Sequence, residues 1–203
     1  MKTGTDADVG LIDLQSPTRA TIGSLTSLSA PGSLPTSTRI QPTETTVFQV
    51  RATLTQYRLE GDSDYHLLLA DGSGHSMITE IPDPRCVGSS SPLLSHIRKA
   101  RSKFDARYTP NRHFQTANVP VTITGIGFFD FLHGQRGVAP NGIELHAVLD
   151  VHFGTGRRRK CHGHRPRLPR PKGRGTPRAR GLLLHESGGV TVVGPTLNCS
   201  RHH

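Results

Sequence analysis

The chain has no tryptophan, 5% aromatic residues, two methionines and three cysteines in 203 residues. So few rings leave little from which to build the stacking platforms of a tight single-strand-binding surface. Cys86, Cys161 and Cys199 are odd in number and form no Cys-x-x-Cys pair, so neither a disulfide framework nor a zinc ribbon is indicated. No apolar run reaches the roughly 18 residues of a membrane span, and the opening MKTGTDADVGLIDLQSP lacks the apolar centre of a signal peptide. The expectation is a chain that does not enter the membrane, with the cytoplasm as its default location. His-x-Glu-x-His, Gly-x-Ser-x-Gly and phosphate-loop patterns are also missing, which removes the most direct pointers to a named chemistry.

Acid is missing from one end only. Residues 1–150 carry 13 Lys+Arg against 14 Asp+Glu, whereas residues 151–203 carry 12 against 1. The net charge of +10 therefore belongs to the end of the chain, and the part that can fold is close to neutral. The stretch GTGRRRKCHGHRPRLPRPKGRGTPRARG has no hydrophobic period and cannot bury enough apolar surface to offset the entropy of ordering it. Residues 154–203 are read as a basic Arg/Pro/Gly-rich tail. It is a nucleic-acid-binding tail contacting phosphates through Arg157, Arg158, Arg159 and Lys160, a solvated appendage, or the translation of an alternative reading frame.

What is present upstream is β-patterned. Residues 1–43 form a Ser/Thr/Pro-rich N-terminal arm with one short helix capped by Thr21. From Thr45 the alternation of Phe48, Val50, Ala52 and Leu54 with polar neighbours predicts a long strand. Strands at 64–70 and 76–81 follow around the Asp71–Gly74 turn, with Pro82 and Pro84 ending the second. Leu93, Ile97, Ala100 and Phe104 mark an amphipathic helix behind Ser91 and Pro92. Two more strands, 119–132 and 142–153, close the pattern, and Gly125 with Gly127 predicts a bulge in the first of them. The order β-β-β-α-β-β over residues 44–153 is that of the OB-fold, a small five-stranded Greek-key barrel in a mainly β (α+β) protein.

The polar side chains that could do chemistry concentrate on these strands. Asp64 with His66, and Glu144 with His146, are spaced by two and so share a strand face. Glu80 ends the third strand, and Asp130, His133, Gln135 and Asn141 line the loop between the last two. If these converge on one rim of the barrel they make a polar ligand-binding site. Asp64, His66, Glu80, Asp130, His133 and Glu144 are also the residue types that ligate a divalent metal, which would suit a nuclease-like hydrolase. The plainer alternative is that they satisfy the backbone of a ten-residue loop.

The segments EGDSDYHLLLADGSGHSMITEIPDP and GIGFFDFLHGQRGVAPNGIELHAVLDVHF resemble a family of uncharacterised bacterial proteins. The likeness spans roughly residues 8–153 and stops before the tail. It implies an OB-like barrel and marks the same nine polar positions, but it supplies no activity. The chain departs from the family's usual pattern at Ala147, where Pro is typical, and at Arg136, where a small polar residue is typical and a charge is expected to enter the candidate site. The function expected from the sequence is a binding or interaction module with a polar rim site. The alternatives are a metal-dependent hydrolase and nucleic-acid binding through the tail.

Overall fold

The computed structural model describes residues 1–154. The tail, including Arg157, Arg158, Arg159 and Lys160, lies outside the described residues. The described residues form six strands: β1 (Thr18–Ala20), β2 (Val47–Leu59), β3 (Tyr65–Ala70), β4 (Ser76–Ile81), β5 (Gln115–Phe129) and β6 (Ile143–Phe153). Two α-helices, α1 (Ile22–Thr26) and α2 (Leu94–Asp105), accompany them.

The sheet runs β1-β2-β3-β4-β6-β5, and β5 pairs back onto β2 to close a barrel of five strands. All barrel neighbours are antiparallel except β4 and β6, which run parallel. This closure, with α2 placed between β4 and β5, is the OB-fold topology. The protein is mainly β, of the α+β class. β2 makes closure possible because its 13 residues meet β3 along one edge and β5 along the other, with a register shift at Leu54/Gln56 that bends it. The predicted glycine bulge is present: the β5–β6 register shifts on both sides of Gly125. A Cβ on Gly127 would stand 2.6 Å from the Thr43 carbonyl oxygen, so this corner admits no larger residue without backbone movement.

β5 starts at Gln115 and ends at Phe129, four residues earlier at one end and three at the other than its sequence suggests. Its first residues pair with the distal end of β2, where Gln56 faces Thr116 and Tyr57 faces Gln115. Its end is set by Asp130, whose amide donates to the Gly142 carbonyl and opens the long loop. α2 packs Ile97, Ala100 and Phe104 inward, as its stripe requires, while Ser91 Oγ accepts from the Leu93 amide at its entry. Cys86 is the single cysteine among the described residues.

The N-terminal arm is tied to the barrel by a buried polar knot. The Arg39 guanidinium donates to both Asp6 carboxylate oxygens (2.8 and 2.7 Å) and to the carbonyls of Met1 and Glu44. Glu44 is itself buried, and its carboxylate accepts from the amides of Ile40 and, on β5, Phe129. Thr21 caps α1 and forms a reciprocal capping box with Ser24. Ile22 and Leu25 of that helix enter the main core beside Val50, Leu67, Ile123 and Leu145. Among the described residues no helix is long and apolar enough to cross a membrane.

Candidate functional site

Strand register builds the site. Antiparallel pairing of β3 and β4 sets His66 opposite Glu80, and parallel pairing of β4 and β6 sets Ile78 opposite Glu144. The period of two along β6 then puts His146 on the same face as Glu144. Asp64, just before β3, and Glu60, just after β2, are held in the intervening turn, where the Glu60 amide donates to the Asp64 carbonyl (2.8 Å). Three adjacent strands and one turn thus deliver four carboxylates and two imidazoles to one end of the barrel.

Glu80 lies between the two imidazoles. Its Oε1 is 3.0 Å from His66 Nδ1, and its Oε2 is 3.1 Å from His146 Nδ1. His146 Nδ1 also lies 3.0 Å from Glu144 Oε1, and His66 Nδ1 lies 3.3 Å from Glu60 Oε1. Asp64 is oriented by the Asp83 amide, which donates to its Oδ1 (2.8 Å), and turns its Oδ2 to within 3.5 Å of His146 Nε2. Both histidines are 2% exposed, and the Nε2 of each is buried with no hydrogen-bond partner among the described residues. Phe128 packs against His146 and Phe114 against His66, each edge to face, so apolar rings bound the cluster on two sides.

The electrostatics follow from this crowding. Burial and the nearby Lys2 charge oppose protonation of His146, but the carboxylates of Asp64, Glu144 and Glu80 around the ring outweigh them and hold the imidazole well above its ordinary pKa. Burial works against the Glu80 carboxylate, yet hydrogen bonds from both histidines and the Lys2 charge carry it well below the usual range. Glu144 goes the other way. Complete burial and the neighbouring Glu80 charge raise it, with His146 and Lys2 offsetting only part of that. The resulting arrangement is an imidazolium set among carboxylates, with one acid held towards its neutral form. Two groups of potential ligands share Glu80, with one ligand atom from each residue and all atoms within 4.8 Å: Glu60, His66 and Glu80, and Asp64, Glu80 and His146.

Of the nine positions marked in the sequence, five converge here: Asp64, His66, Glu80, Glu144 and His146. Asp130 joins at one remove through Lys2, whose Nζ lies 2.9 Å from Asp130 Oδ2 and 3.6 Å from Glu144 Oε1. His133 and Gln135 do not converge. They lie on the loop, bond to each other and to the loop backbone, and have no bond to the cluster. Asn141 is taken up by the fold: its Nδ2 donates to the carbonyls of Leu25 and Leu28, and its Oδ1 accepts from the Ile143 amide. Arg136 does not put its charge among the carboxylates. It bonds Gln56 and lies over Phe114 instead.

Sequence reasoning missed Lys2 and Glu60. Glu60 was within reach, since the hairpin that pairs Arg58 with His66 sets the following residues beside that histidine. Lys2 reaches Asp130 across 128 residues of chain, and no local pattern announces that contact.

No protein-family model matches the chain, and no curated protein matches it in sequence. Among solved structures it is similar to a protein assigned as an aspartyl-tRNA synthetase from Leishmania major Friedlin (15% identity, TM-score 0.38), over 70% of this chain and 21% of that one. It is similar to the Entamoeba histolytica asparaginyl-tRNA synthetase in complex with asparaginyl-adenylate (9% identity, TM-score 0.34), over 68% of this chain and 24% of that one. It is also similar to an OBody, AM3L09, bound to hen egg-white lysozyme (11% identity, TM-score 0.35), over 62% of this chain and 96% of that one. The chain spans about a quarter or less of the length of those synthetases. The barrel itself is established by its strand order, independently of these distant likenesses.

Proposed function

We propose that this OB barrel is a binding module whose rim site works with a divalent metal ion held by Asp64, Glu80 and His146, with Glu60 and His66 completing the site across the shared Glu80. The observation that carries this reading is His146 Nε2. It is buried, has no hydrogen-bond partner among the described residues, and faces a carboxylate oxygen at 3.5 Å, while the three residues bring ligand atoms within 4.8 Å of one another. A buried polar atom without a partner costs on the order of 1–3 kcal/mol, and a metal ion that takes this nitrogen, displacing the proton His146 carries in the metal-free protein, recovers that cost.

Charge supports the same reading. Glu60, Asp64, Glu80, Asp130 and Glu144 meet two permanent cations, Lys2 and Arg58, so an added divalent ion relieves repulsion between Glu80 and Glu144. The donor set mixes imidazole with carboxylate. That mixture suits Mn²⁺ or Zn²⁺ better than Ca²⁺ or Mg²⁺, which favour all-oxygen shells. Three protein ligands leave coordination positions for a polar ligand arriving at the rim.

The test is isothermal titration of the full chain with Mn²⁺, Zn²⁺, Mg²⁺ and Ca²⁺, beside Asp64→Asn. Saturable binding of Mn²⁺ or Zn²⁺ that Asp64→Asn weakens supports the reading. No binding, or equal binding by the variant, overturns it.

A further inference from the structure

Next to the acidic cluster lies a second group of opposite charge. Phe114 carries Arg58 over its ring at 4.5 Å from the centroid and Arg136 at 5.1 Å. Arg58 is fixed by Glu60, with Nε 2.8 Å and Nη2 2.7 Å from Glu60 Oε1. Arg112 meets the backbone of the same residue, its Nη1 donating to the Glu60 carbonyl (2.7 Å). Phe114 in turn packs edge-on against His66, at 5.9 Å between ring centroids. The three guanidiniums and the Glu60–His66–Glu80 ligand group are therefore contiguous through Glu60 and Phe114.

The chemistry left open is donation. Each guanidinium has five N–H groups. Arg112 spends one donor on the Glu60 carbonyl and Arg136 one on Gln56 Oε1 (3.1 Å), and these are their only hydrogen bonds among the described residues. Both are exposed. Only Arg58 among the three is paired with a carboxylate, that of Glu60; Arg112 meets the Glu60 backbone carbonyl and Arg136 the Gln56 amide. Solvated arginines are common on surfaces. These are not spread out, however: an aromatic ring and a shared glutamate hold them beside the proposed cation site. Planar guanidinium forks match the paired oxygens of a phosphate better than an ammonium does.

We propose that Arg58 and Arg136, which share the Phe114 ring, together with Arg112 at the Glu60 carbonyl, are the oxyanion-binding half of the rim site and take the phosphate group of a phosphate ester whose remaining oxygen meets the metal ion. The inference rests on the metal reading above. It names the ligand class of that module.

The full chain is titrated with inorganic phosphate, adenosine monophosphate and a short thymidine oligonucleotide, each with and without saturating Mn²⁺. The comparison isolates the metal-dependent component from any binding by the Arg-rich sequence after residue 154. The metal-dependent component should fall about tenfold in Arg112→Ala and in Arg136→Ala, while Mn²⁺ affinity and the melting curve stay as in the wild type. Binding of the monophosphate alone identifies a terminal phosphate as the ligand group. Binding of the oligonucleotide identifies a phosphodiester, and either result supports the proposal. If Mn²⁺ binds but no phosphate compound does, or if both variants bind like the wild type, the oxyanion assignment is overturned and the metal site stands. If Mn²⁺ does not bind, both are overturned.

Discussion

Asp64 Oδ2 and His146 Nε2 face each other at 3.5 Å, a distance at which charges attract but no proper hydrogen bond forms. The two residues play different structural parts. Asp64 holds the Asp83 amide through its other oxygen, whereas His146 is the buried cation between Glu80 and Glu144. Asp64→Asn keeps an acceptor for Asp83, so its stability should stay within about 1 kcal/mol of wild type. His146→Ala strips the counter-charge from buried carboxylates and should cost on the order of 3–5 kcal/mol. Denaturant unfolding of both variants separates them, and equal losses would show that Asp64 is structural too.

Lys2 is the chain's own cation in the site. Its ammonium bonds Asp130, approaches Glu144 and lies over the Phe128 ring at 5.2 Å. Burial alone would lower its pKa, but Glu144, Asp130 and Glu80 raise it, so it stays charged at any working pH. Lys2→Met removes a positive charge that repels an incoming divalent ion. It should raise Mn²⁺ affinity by about tenfold while lowering the melting temperature of the metal-free protein. Unchanged affinity would mean that Lys2 and the metal do not share a field.

Asn141 belongs to the scaffold. Replacing it with Ala removes the side-chain partner of the Leu28 carbonyl and of the Ile143 amide on β6, and one of the donors to the Leu25 carbonyl of α1. Asn141→Ala should destabilise by about 2–3 kcal/mol and leave metal binding unchanged. A loss of metal affinity without a loss of stability would return it to the site.

Acid should loosen the arm first. Burial raises the Asp6 carboxyl, but the hydrogen bonds and charge of Arg39 outweigh this and hold it below its ordinary value. Asp150 is treated likewise by burial and then by Lys103 and His152. A carboxyl with a depressed folded pKa contributes stability that is present above its unfolded value of about 3.9 and lost as pH falls through the folded value. Melting temperatures should therefore decline below about pH 4, and Asp6→Asn should decline less steeply than wild type. An identical decline would place the acid-labile groups elsewhere. Arg39→Met leaves Asp6 buried and unpaired, and should cost about 3–5 kcal/mol at neutral pH.

The barrel was legible because its signals are local. Alternation in β2, the Asp71–Gly74 turn, the α2 stripe and the Gly125/Gly127 bulge each act within a few residues, and together they leave the OB order. The strand face shared by Glu144 and His146 was legible for the same reason. Register between strands was not, and register decides that Glu80 comes between the two histidines while His133 stays out on the loop. β1 escaped notice because three residues carry no period. They are held by parallel pairing with β2, a contact across some 30 residues of chain. Lys2, Arg39 and Glu44 act across the arm–barrel junction, where polar residues in a Ser/Thr/Pro-rich segment look like linker until their partners are known.

The most direct measurement is a calorimetric titration of the metal-free full chain with Mn²⁺ and Zn²⁺, run in parallel with Asp64→Asn. One saturable binding event is expected in the wild type, weakened at least tenfold in a variant that melts like the wild type. Saturation by neither metal, or equal binding by the variant, would contradict this and leave the carboxylates and imidazoles as a closed ion-pair network that holds the barrel end together.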